Sequence, residues 1–292
     1  MTLSEWRIGA HTHKYRGHDI AYWTEGEGDA LLLIHGFPTA AWDWNRLWDA
    51  LTKRFRVVVC DMLGFGFSAK PLPYDYSILD QARLQEELLA ALGIEGVHIL
   101  AHDYGDTVAQ ELLAARLDRD RDRERGLEIR SVTLLNGGLF PETHRARPIQ
   151  KLLASPLGPL LVATMSERRF SRSFARVFGP RTQPSATEMR DFWELASAGG
   201  GLRVMPKLLG YMRDRARHRE RWVGALRETG VPLRLINGPA DPVSGSHMAD
   251  RYQELVPNAD VVRLGAEIGH YPQVEDPEGV LRAFLAFIDR LS

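Results

Sequence analysis

Cysteine is nearly absent from this chain, in which Cys60 is the only one among 292 residues. A single cysteine excludes an intramolecular disulfide, and it excludes a metal site built from several thiolates. Low cysteine content is also typical of proteins that work in a reducing compartment, and we therefore predict a cytoplasmic location.

Neither a charge excess nor a long apolar segment is present. Lysine and arginine together number 37 and aspartate and glutamate 38, for a formal charge of -1. With charges so balanced, no overall field attracts nucleic acid or an acidic membrane surface. The sequence contains no run of about 18 apolar residues, and its N-terminal part lacks a basic stretch followed by an apolar one. We predict a soluble protein with no nucleic-acid partner and no membrane span.

The remaining composition is that of a globular protein, with 44% hydrophobic and 26% charged residues. Short apolar runs typical of strands alternate with longer segments in which apolar residues have helical spacing. Strands are predicted at 30–34, 56–60, 97–101, 131–135, 231–236 and 260–264, and helices at 73–91, 107–117 and 277–291. Strands separated by helices require crossover connections, so the pattern predicts an α/β fold with a mostly parallel sheet flanked by helices.

The alternation stops in residues 141–229. This segment has helix-like pieces, glycine and proline punctuation and many arginines, but no convincing strand. We predict a helical lid, or cap, inserted after the sixth strand above the carboxyl ends of the strands, with 1–140 and 230–292 forming the core. Its basic run 213–221 is interpreted as a solvated lid helix, with a phosphate-binding patch as the less favoured alternative.

The most informative segment is 99–107, with the sequence ILAHDYGDT. An apolar strand runs into Asp103, which is flanked by the small residues Ala101 and Gly105, and a helix follows. This is the strand, sharp turn and helix context of a nucleophile elbow, with aspartate in place of the usual serine. The alternative is an ordinary strand that ends in an aspartate helix cap.

Two later residues complete a possible catalytic triad. Asp241 follows a predicted strand in LINGPADPV, and His270 follows the next strand in IGHYP. A loop aspartate or a lone histidine is usually structural. Nucleophile, acid and histidine nevertheless occur in the order of the hydrolase triad, each after a strand. The turn in LLIHGFP places the Phe37 N–H where it could form an oxyanion hole with the Tyr104 N–H.

Taken together, these motifs resemble the α/β-hydrolase superfamily, on its epoxide hydrolase and haloalkane dehalogenase side. The resemblance covers nearly the whole chain. It rests on His35-Gly36-Phe37-Pro38, on DMLGFGFS from Asp61, on His102-Asp103-Tyr104-Gly105, on Asp241 and on Gly269-His270-Tyr271. Within the superfamily, HGFPTAAWDW, DMLGFGFSAKP, NGGLFPETHR, RWVGAL and HYPQVEDP are most similar to the mesoderm-specific transcript proteins. The resemblance implies an α/β-hydrolase fold.

An aspartate nucleophile suits displacement at saturated carbon, because attack on an ester carbonyl would give a reactive anhydride. Asp103 would form an alkyl-enzyme ester. His270, oriented by Asp241, would then activate water against that ester, and the Phe37 and Tyr104 N–H groups would hold the oxyanion.

The leaving group decides between epoxide and halide. Dehalogenases of this superfamily cradle halide with side-chain N–H donors, often at the positions that here hold Tyr104 and Phe37, which offer none. Epoxide hydrolases place tyrosines in the lid, and Tyr211 stands where the family has its second one; a tyrosine O–H can donate to the ring oxygen. Tyr211 could instead merely pack in the lid. His144 or Trp193 could supply another donor.

The predicted substrate is therefore a small apolar electrophile, an epoxide or an organohalide, in a cleft lined by Trp42 and Phe170. No metal site and no nucleotide cofactor is expected, since the ligand spacing and the glycine-rich motifs are missing. Asn136, an amide, cannot be the triad acid. The leading hypothesis is an epoxide hydrolase that gives a diol. The alternatives are a dehalogenase-like or other hydrolase and a non-catalytic ligand-binding protein.

Overall fold

The computed structural model describes residues 1–153, 155 and 157–291, and the strands in these residues form one eight-stranded sheet. They are β1 His11–Tyr15, β2 His18–Glu25, β3 Ala30–Ile34, β4 Arg56–Cys60, β5 Gly96–His102, β6 Glu128–Leu135, β7 Leu233–Asn237 and β8 Val261–Arg263. The strand order is β1-β2-β4-β3-β5-β6-β7-β8. Strands β3 to β8 pair in parallel, and β1 and β2 add an antiparallel edge beside β4. The predicted mostly parallel sheet is confirmed.

Helices cover the sheet and fill the segment between β6 and β7. They are α1 Leu3–Ile8, α2 Asn45–Leu51, α3 Ile78–Ala91, α4 Tyr104–Asp122, α5 Pro148–Leu153, α6 Gly158–Ala163, α7 Glu167–Phe174, α8 Ala186–Ser197, α9 Gly201–Leu208, α10 Tyr211–Arg217, α11 Arg219–Glu228, α12 Ser246–Leu255, α13 Pro272–Glu275 and α14 Pro277–Ile288. Helices α5 to α11 occupy the range for which the sequence predicts a lid. The division into a core and a lid domain stays a prediction.

The central strands are apolar along their whole length because both faces of the sheet are covered. Every residue of β3, ALLLI, is buried, and so is the VVVC of β4. Continuous apolar runs of this kind are typical of parallel strands packed between helices. The sheet therefore forms the centre of the core.

The hairpin β1–β2 is absent from the strands predicted from sequence. Its strands, HTHKY and HDIAYWTE, are partly exposed and rich in polar residues, so they lack an apolar run. The feature that indicates a hairpin is the connection between β1 and β2, in which Arg16 and Gly17 both have positive φ, 48° and 81°. Two such residues between strands form the tight turn that matches strand twist.

Predicted element bounds differ from the observed ones by a few residues. Helix α3 begins at Ile78 rather than at 73, because the Ser77 side chain accepts the Asp80 N–H and caps it. Helix α4 begins at Tyr104, directly after β5 and the single residue Asp103. None of the helices in the described part of the chain has the length and apolar character needed to cross a bilayer.

We expect Leu33→Ala to lower the free energy of unfolding by about 3 kcal/mol, because it leaves a cavity in the core on one face of the sheet. Leu33 is fully buried and pairs with Val59 and Leu100. The control is Leu160→Ala in α6, where the side chain is 67% exposed; its effect should stay within about 0.5 kcal/mol. Urea unfolding measures both. Equal losses in the two variants would contradict the assignment of the core.

Candidate active site

Asp103 lies at the sharp turn between β5 and α4. Its backbone has φ 48° and ψ -103°, a conformation that non-glycine residues rarely adopt and that costs free energy. The turn fits only because Gly105 has no side chain: a Cβ there would lie within 2.8 Å of the His35 carbonyl oxygen. Gly36 is equally confined, since a Cβ would meet the His102 ring and the Asp103 Cβ. Because positions 36 and 105 carry no side chain, the turn can hold the Asp103 carboxylate at the carboxyl edge of the sheet.

The structure brings Asp103, Asp241 and His270 together. His270 Nδ1 lies 2.7 Å from Asp241 Oδ2, and His270 Nε2 lies 3.9 Å from Asp103 Oδ1. All three side chains are buried. Each residue follows a strand end, so the parallel sheet places them at one edge although they are far apart in the chain. The arrangement has the nucleophile, base and orienting acid of a triad.

Asn136 fixes the Asp241 carboxylate from the other side. Its Nδ2 donates to Asp241 Oδ2 at 2.9 Å and to the Gly238 carbonyl at 3.0 Å, while its Oδ1 accepts the Gly238 N–H at 2.7 Å. The Val243 N–H donates to the second Asp241 oxygen at 2.7 Å. Asn136 is thus a support for the acid, a role that the sequence analysis missed when it excluded Asn136 as the acid itself. Its position at the end of β6, next to β7, was the available signal.

One carboxylate oxygen of Asp103 is held by the backbone and the other is not. The Phe37 N–H donates to Asp103 Oδ2 at 3.2 Å. Phe37 is oriented in turn by Tyr271, whose hydroxyl donates to the Phe37 carbonyl at 3.0 Å. Tyr104 begins α4, so its N–H is among those that have no acceptor within the helix. Both N–H groups predicted to form the oxyanion hole therefore lie beside Asp103.

Charges around Asp103 keep it ionised. Burial alone would raise the pKa of Asp103, but the neighbouring His270 and Arg215 hold this pKa well below its ordinary value. Burial alone would likewise lower the pKa of His270, whereas Asp241 and Asp103 raise it to about 10. At neutral pH the site therefore contains a carboxylate on Asp103 and an imidazolium on His270.

Arg215 is the residue that the sequence analysis placed wrongly. The run 213–221 was interpreted as solvated, but Arg215 is only 2% exposed. Its Nη2 donates to the Asp103 carbonyl at 3.1 Å and lies 3.7 Å from Asp103 Oδ1, and its Nε donates to Thr107 Oγ1 at 2.8 Å. The available signal was the spacing of four residues from Tyr211, which puts both side chains on one face of α10.

Tyr211 is fully buried next to the turn at Asp103. Its ring contacts those of Tyr104 and Phe37, with centroids 5.2 and 6.2 Å apart, and the Arg215 guanidinium lies 4.5 Å from its centre. Burial and the charge of Asp103 raise the pKa of Tyr211 above its ordinary value. The phenol is therefore protonated and able to donate at neutral pH.

A cavity of about 210 Å³ opens beside His270 and Phe37, among helices α5, α6, α7 and α9; Asp103 and Tyr211 are not among the residues that line it. Its walls are mainly apolar. Phe170 contributes to them as predicted, together with Leu153, Leu161, Met165, Phe174, Val177 and Met205. Trp42 does not line this cavity: it is buried against Phe192 with ring centroids 5.7 Å apart. The substrate contact predicted for Trp42 therefore has no support from this cavity.

The two alternative donors differ in their surroundings. Trp193 packs on Phe170, with ring centroids 5.5 Å apart. His144 is partly buried, neither of its ring nitrogens has a hydrogen-bond partner in the described part of the chain, and burial lowers its pKa to about 4. Among the described residues no group of three or more His, Cys, Asp or Glu side chains is placed to hold a metal ion.

Comparison with known proteins agrees with this arrangement. Residues 29–277 match the family model for the alpha/beta hydrolase fold. The mesoderm-specific transcript protein of Mus musculus is 42% identical over 297 residues, covering 98% of this chain and 88% of that protein. The putative hydrolase LipZ of Mycobacterium tuberculosis is 40% identical over 263 residues, covering 90% and 89%. The similarity expected from the sequence motifs is confirmed.

Solved structures give the same architecture. The epoxide hydrolase CorEH superposes with a TM-score of 0.78 at 20% identity, covering 97% of this chain and 99% of that one. The haloalkane dehalogenase DatA from Agrobacterium tumefaciens C58 superposes with a TM-score of 0.78 at 21% identity, covering 97% of each chain. At these identities the likeness shows the fold alone.

The charges at the site predict how His270 titrates. We expect its imidazole to stay protonated well above the ordinary value of about 6.5 and to lose its proton as pH rises toward 10. Asp103→Asn removes one of the two carboxylates that raise this pKa and should lower it by at least about one unit. Nitrogen-15 NMR of the histidine ring reports the titration.

The matched control is Asp120→Asn on the exposed end of α4, which should leave the His270 titration unchanged. If His270 of the unaltered protein titrated near 6.5, the electrostatic account of the site would be wrong.

Proposed function

Because the chain belongs to the α/β-hydrolase fold family, we propose that it is a cofactor-independent hydrolase that opens epoxides to diols through a covalent ester on Asp103. The observation that carries the proposal is the carboxylate at the elbow. Asp103 Oδ2 accepts the Phe37 N–H, whereas Oδ1 lies 3.9 Å from His270 Nε2 and 3.7 Å from Arg215 Nη2, too far for a hydrogen bond. Oδ1 is the atom that would attack.

In the first step Asp103 Oδ1 bonds to a saturated carbon of the epoxide, and the carbon–oxygen bond of the ring breaks. The electron pair of that bond takes the phenolic proton of Tyr211, which is protonated because burial and Asp103 raise its pKa. The products of this step are an alkyl ester on Asp103 and a tyrosinate.

The second step follows from the change in charge. The ester on Asp103 is neutral, so one of the two carboxylates that raise the pKa of His270 is lost. The pKa falls, so His270, still hydrogen-bonded to Asp241, releases its proton to bulk water and as a neutral imidazole can take a proton from the attacking water. The resulting hydroxide adds to the ester carbonyl. The Phe37 and Tyr104 N–H groups stabilise the oxyanion, a contribution of roughly 3 kcal/mol for each donor.

Epoxide is preferred to halide as the leaving group for two reasons. The side chains of Phe37 and Tyr104 offer no N–H to a halide ion, and the buried phenol of Tyr211 lies beside Asp103. A dehalogenase-like activity is the second candidate, and the dehalogenase names among similar proteins keep it open. A non-catalytic ligand-binding protein is the third.

The apolar cavity under the lid favours a small apolar electrophile as substrate. The cytoplasmic location stays a prediction.

We expect His270→Ala to trap the ester, because the first step does not need the imidazole and the second does. Mass spectrometry of the intact protein after incubation with a panel of epoxides and alkyl halides measures the adduct. Epoxide opening adds the whole mass of the substrate, whereas halide displacement adds only the alkyl part.

The control is the double variant Asp103→Asn with His270→Ala, which should form no adduct. An adduct that persists there would place the bond on another residue. If no compound labels His270→Ala, the protein is better described as a binding protein.

We expect Tyr211→Phe to slow epoxide opening more than tenfold, because the ring oxygen then leaves without a proton. The rate of adduct formation in the His270→Ala background measures the effect. Tyr252→Phe is the matched control, since Tyr252 is also a buried tyrosine but lies in α12, whereas the Tyr211 ring contacts Phe37 and Tyr104. An unchanged rate in Tyr211→Phe would remove Tyr211 from the mechanism.

A further inference from the structure

Arg215 joins the two groups that exchange charge in the proposed first step. Its Nη2 lies 3.7 Å from Asp103 Oδ1, and its guanidinium lies 4.5 Å from the centre of the Tyr211 ring. The second terminal nitrogen, Nη1, is buried and has no hydrogen-bond partner among the described residues. A buried cation with an unsatisfied nitrogen is costly, and its position requires a reason beyond packing.

The direction in which charge moves supplies that reason. Before attack the negative charge is on Asp103, and after ring opening it is on the Tyr211 oxygen. A cation between these two sites is paired with an anion in both states. Without it, the phenolate would form in a buried place with no compensating charge, at a high energetic cost.

We propose that Arg215 is a positioning residue that stabilises the Tyr211 phenolate while Asp103 is esterified, so that the site is specific for leaving groups that need a proton, as an epoxide oxygen does and a halide does not. This inference rests on the proposed function. It also accounts for a lid with a single tyrosine at the site, because the guanidinium makes that one phenol a stronger acid.

Protons and electrons balance over the cycle. Asp103 Oδ1 gives the electron pair of the new carbon–oxygen bond, and the ring oxygen leaves with its own pair and takes the Tyr211 proton. Water then adds one oxygen to the Asp103 carbonyl carbon, and His270 passes one water proton to the departing alkoxide. The second water proton is released as Asp103 ionises again, and it restores Tyr211. The proton that the His270 imidazolium gave to bulk water on esterification is taken back at the same point, because the Asp103 carboxylate raises the His270 pKa again. The sum is epoxide plus water giving diol.

Other titratable groups also face Arg215 and Tyr211, and none of them replaces the guanidinium. Tyr104 and Asp106 come from α4, and His144 comes from the segment that follows β6. Burial raises the pKa of the Tyr104 phenol and holds that of Asp106 well above its ordinary value. Burial also lowers the pKa of His144 to about 4. Burial thus favours the neutral form of all three, which leaves Arg215 as the cation beside the phenol.

The first experiment measures ester formation in the His270→Ala background, with styrene oxide and phenethyl bromide as substrates that share a carbon skeleton. Arg215→Met should slow alkylation by styrene oxide about tenfold or more. In a Tyr211→Phe background the same substitution should have little further effect, because residues that act as a unit are not additive. Alkylation by phenethyl bromide, if it occurs, should change much less. Arg215→Lys should restore part of the rate.

Arg234→Met is the matched control. Arg234 is also buried, also has an unpartnered nitrogen, and lies over the Phe287 ring at 4.9 Å, but it is bound to Ala283 and Asp260. Arg234→Met should therefore leave the alkylation rate unchanged.

The second experiment needs no substrate. Asp103→Asn imitates the neutral ester, and ultraviolet absorbance follows tyrosinate formation with pH, with the Asp103→Asn, Tyr211→Phe double variant subtracted. Adding Arg215→Met should raise the midpoint for Tyr211 by at least about one unit. Should Arg215→Met fail to fold, Arg215→Gln tests the same loss of charge.

The outcomes separate the two proposals. Absence of any adduct overturns the proposed function. An adduct together with an unmoved Tyr211 midpoint, or an equal effect of Arg215→Met with and without the Tyr211 hydroxyl, overturns the role of Arg215 alone. Equal slowing for the epoxide and the bromide would show that Arg215 acts on Asp103 directly, and it would also overturn the inference.

Discussion

The carboxylate of Asp103 is buried, and it stays ionised because cationic groups from two separate parts of the chain face it. His270 approaches from the loop after β8 and Arg215 from the lid helix α10. Without them, burial would favour the neutral acid, which is a poor nucleophile. Asp241 and Asn136 orient His270, and Tyr271 orients the Phe37 peptide. Much of the polar structure around Asp103 therefore helps to keep this one carboxylate ionised and in place.

The sheet makes this concentration of charge possible. Parallel strands end at the same edge, so residues after β3, β5, β6, β7 and β8 meet there. The apolar strands behind them exclude water, which strengthens the electrostatic interactions and raises the cost of an unpaired group. Glycine at positions 36 and 105 lets the chain approach closely enough for the turn at Asp103 to form.

Candidate site residues that belong to a sequence motif could be predicted from the sequence, and those placed by a contact between distant segments could not. Asp103, Asp241, His270 and Phe37 each follow a strand in a recognisable order. Asn136 reads as an ordinary strand end, and its role exists only because Gly238 and Asp241 lie on the neighbouring strand. Contacts with the helices between β6 and β7 are harder still to predict: Trp42 was expected in the cleft but packs against Phe192 of α8.

The sequence alone determined the parallel α/β architecture, since strand and helix periods of apolar residues depend on local geometry and on covering both faces of a sheet. It also indicated the candidate triad. Asp103 has the small neighbours that an elbow requires, and Asp241 and His270 follow it in the order of the hydrolase triad. Only the tertiary structure decided which charges meet. The charge pattern of the basic run 213–221 does not indicate which of its arginines faces solvent and which is buried. The burial of Arg215 between Asp103 and Tyr211 depends on how α10 docks over the sheet, a matter of packing between segments more than a hundred residues apart.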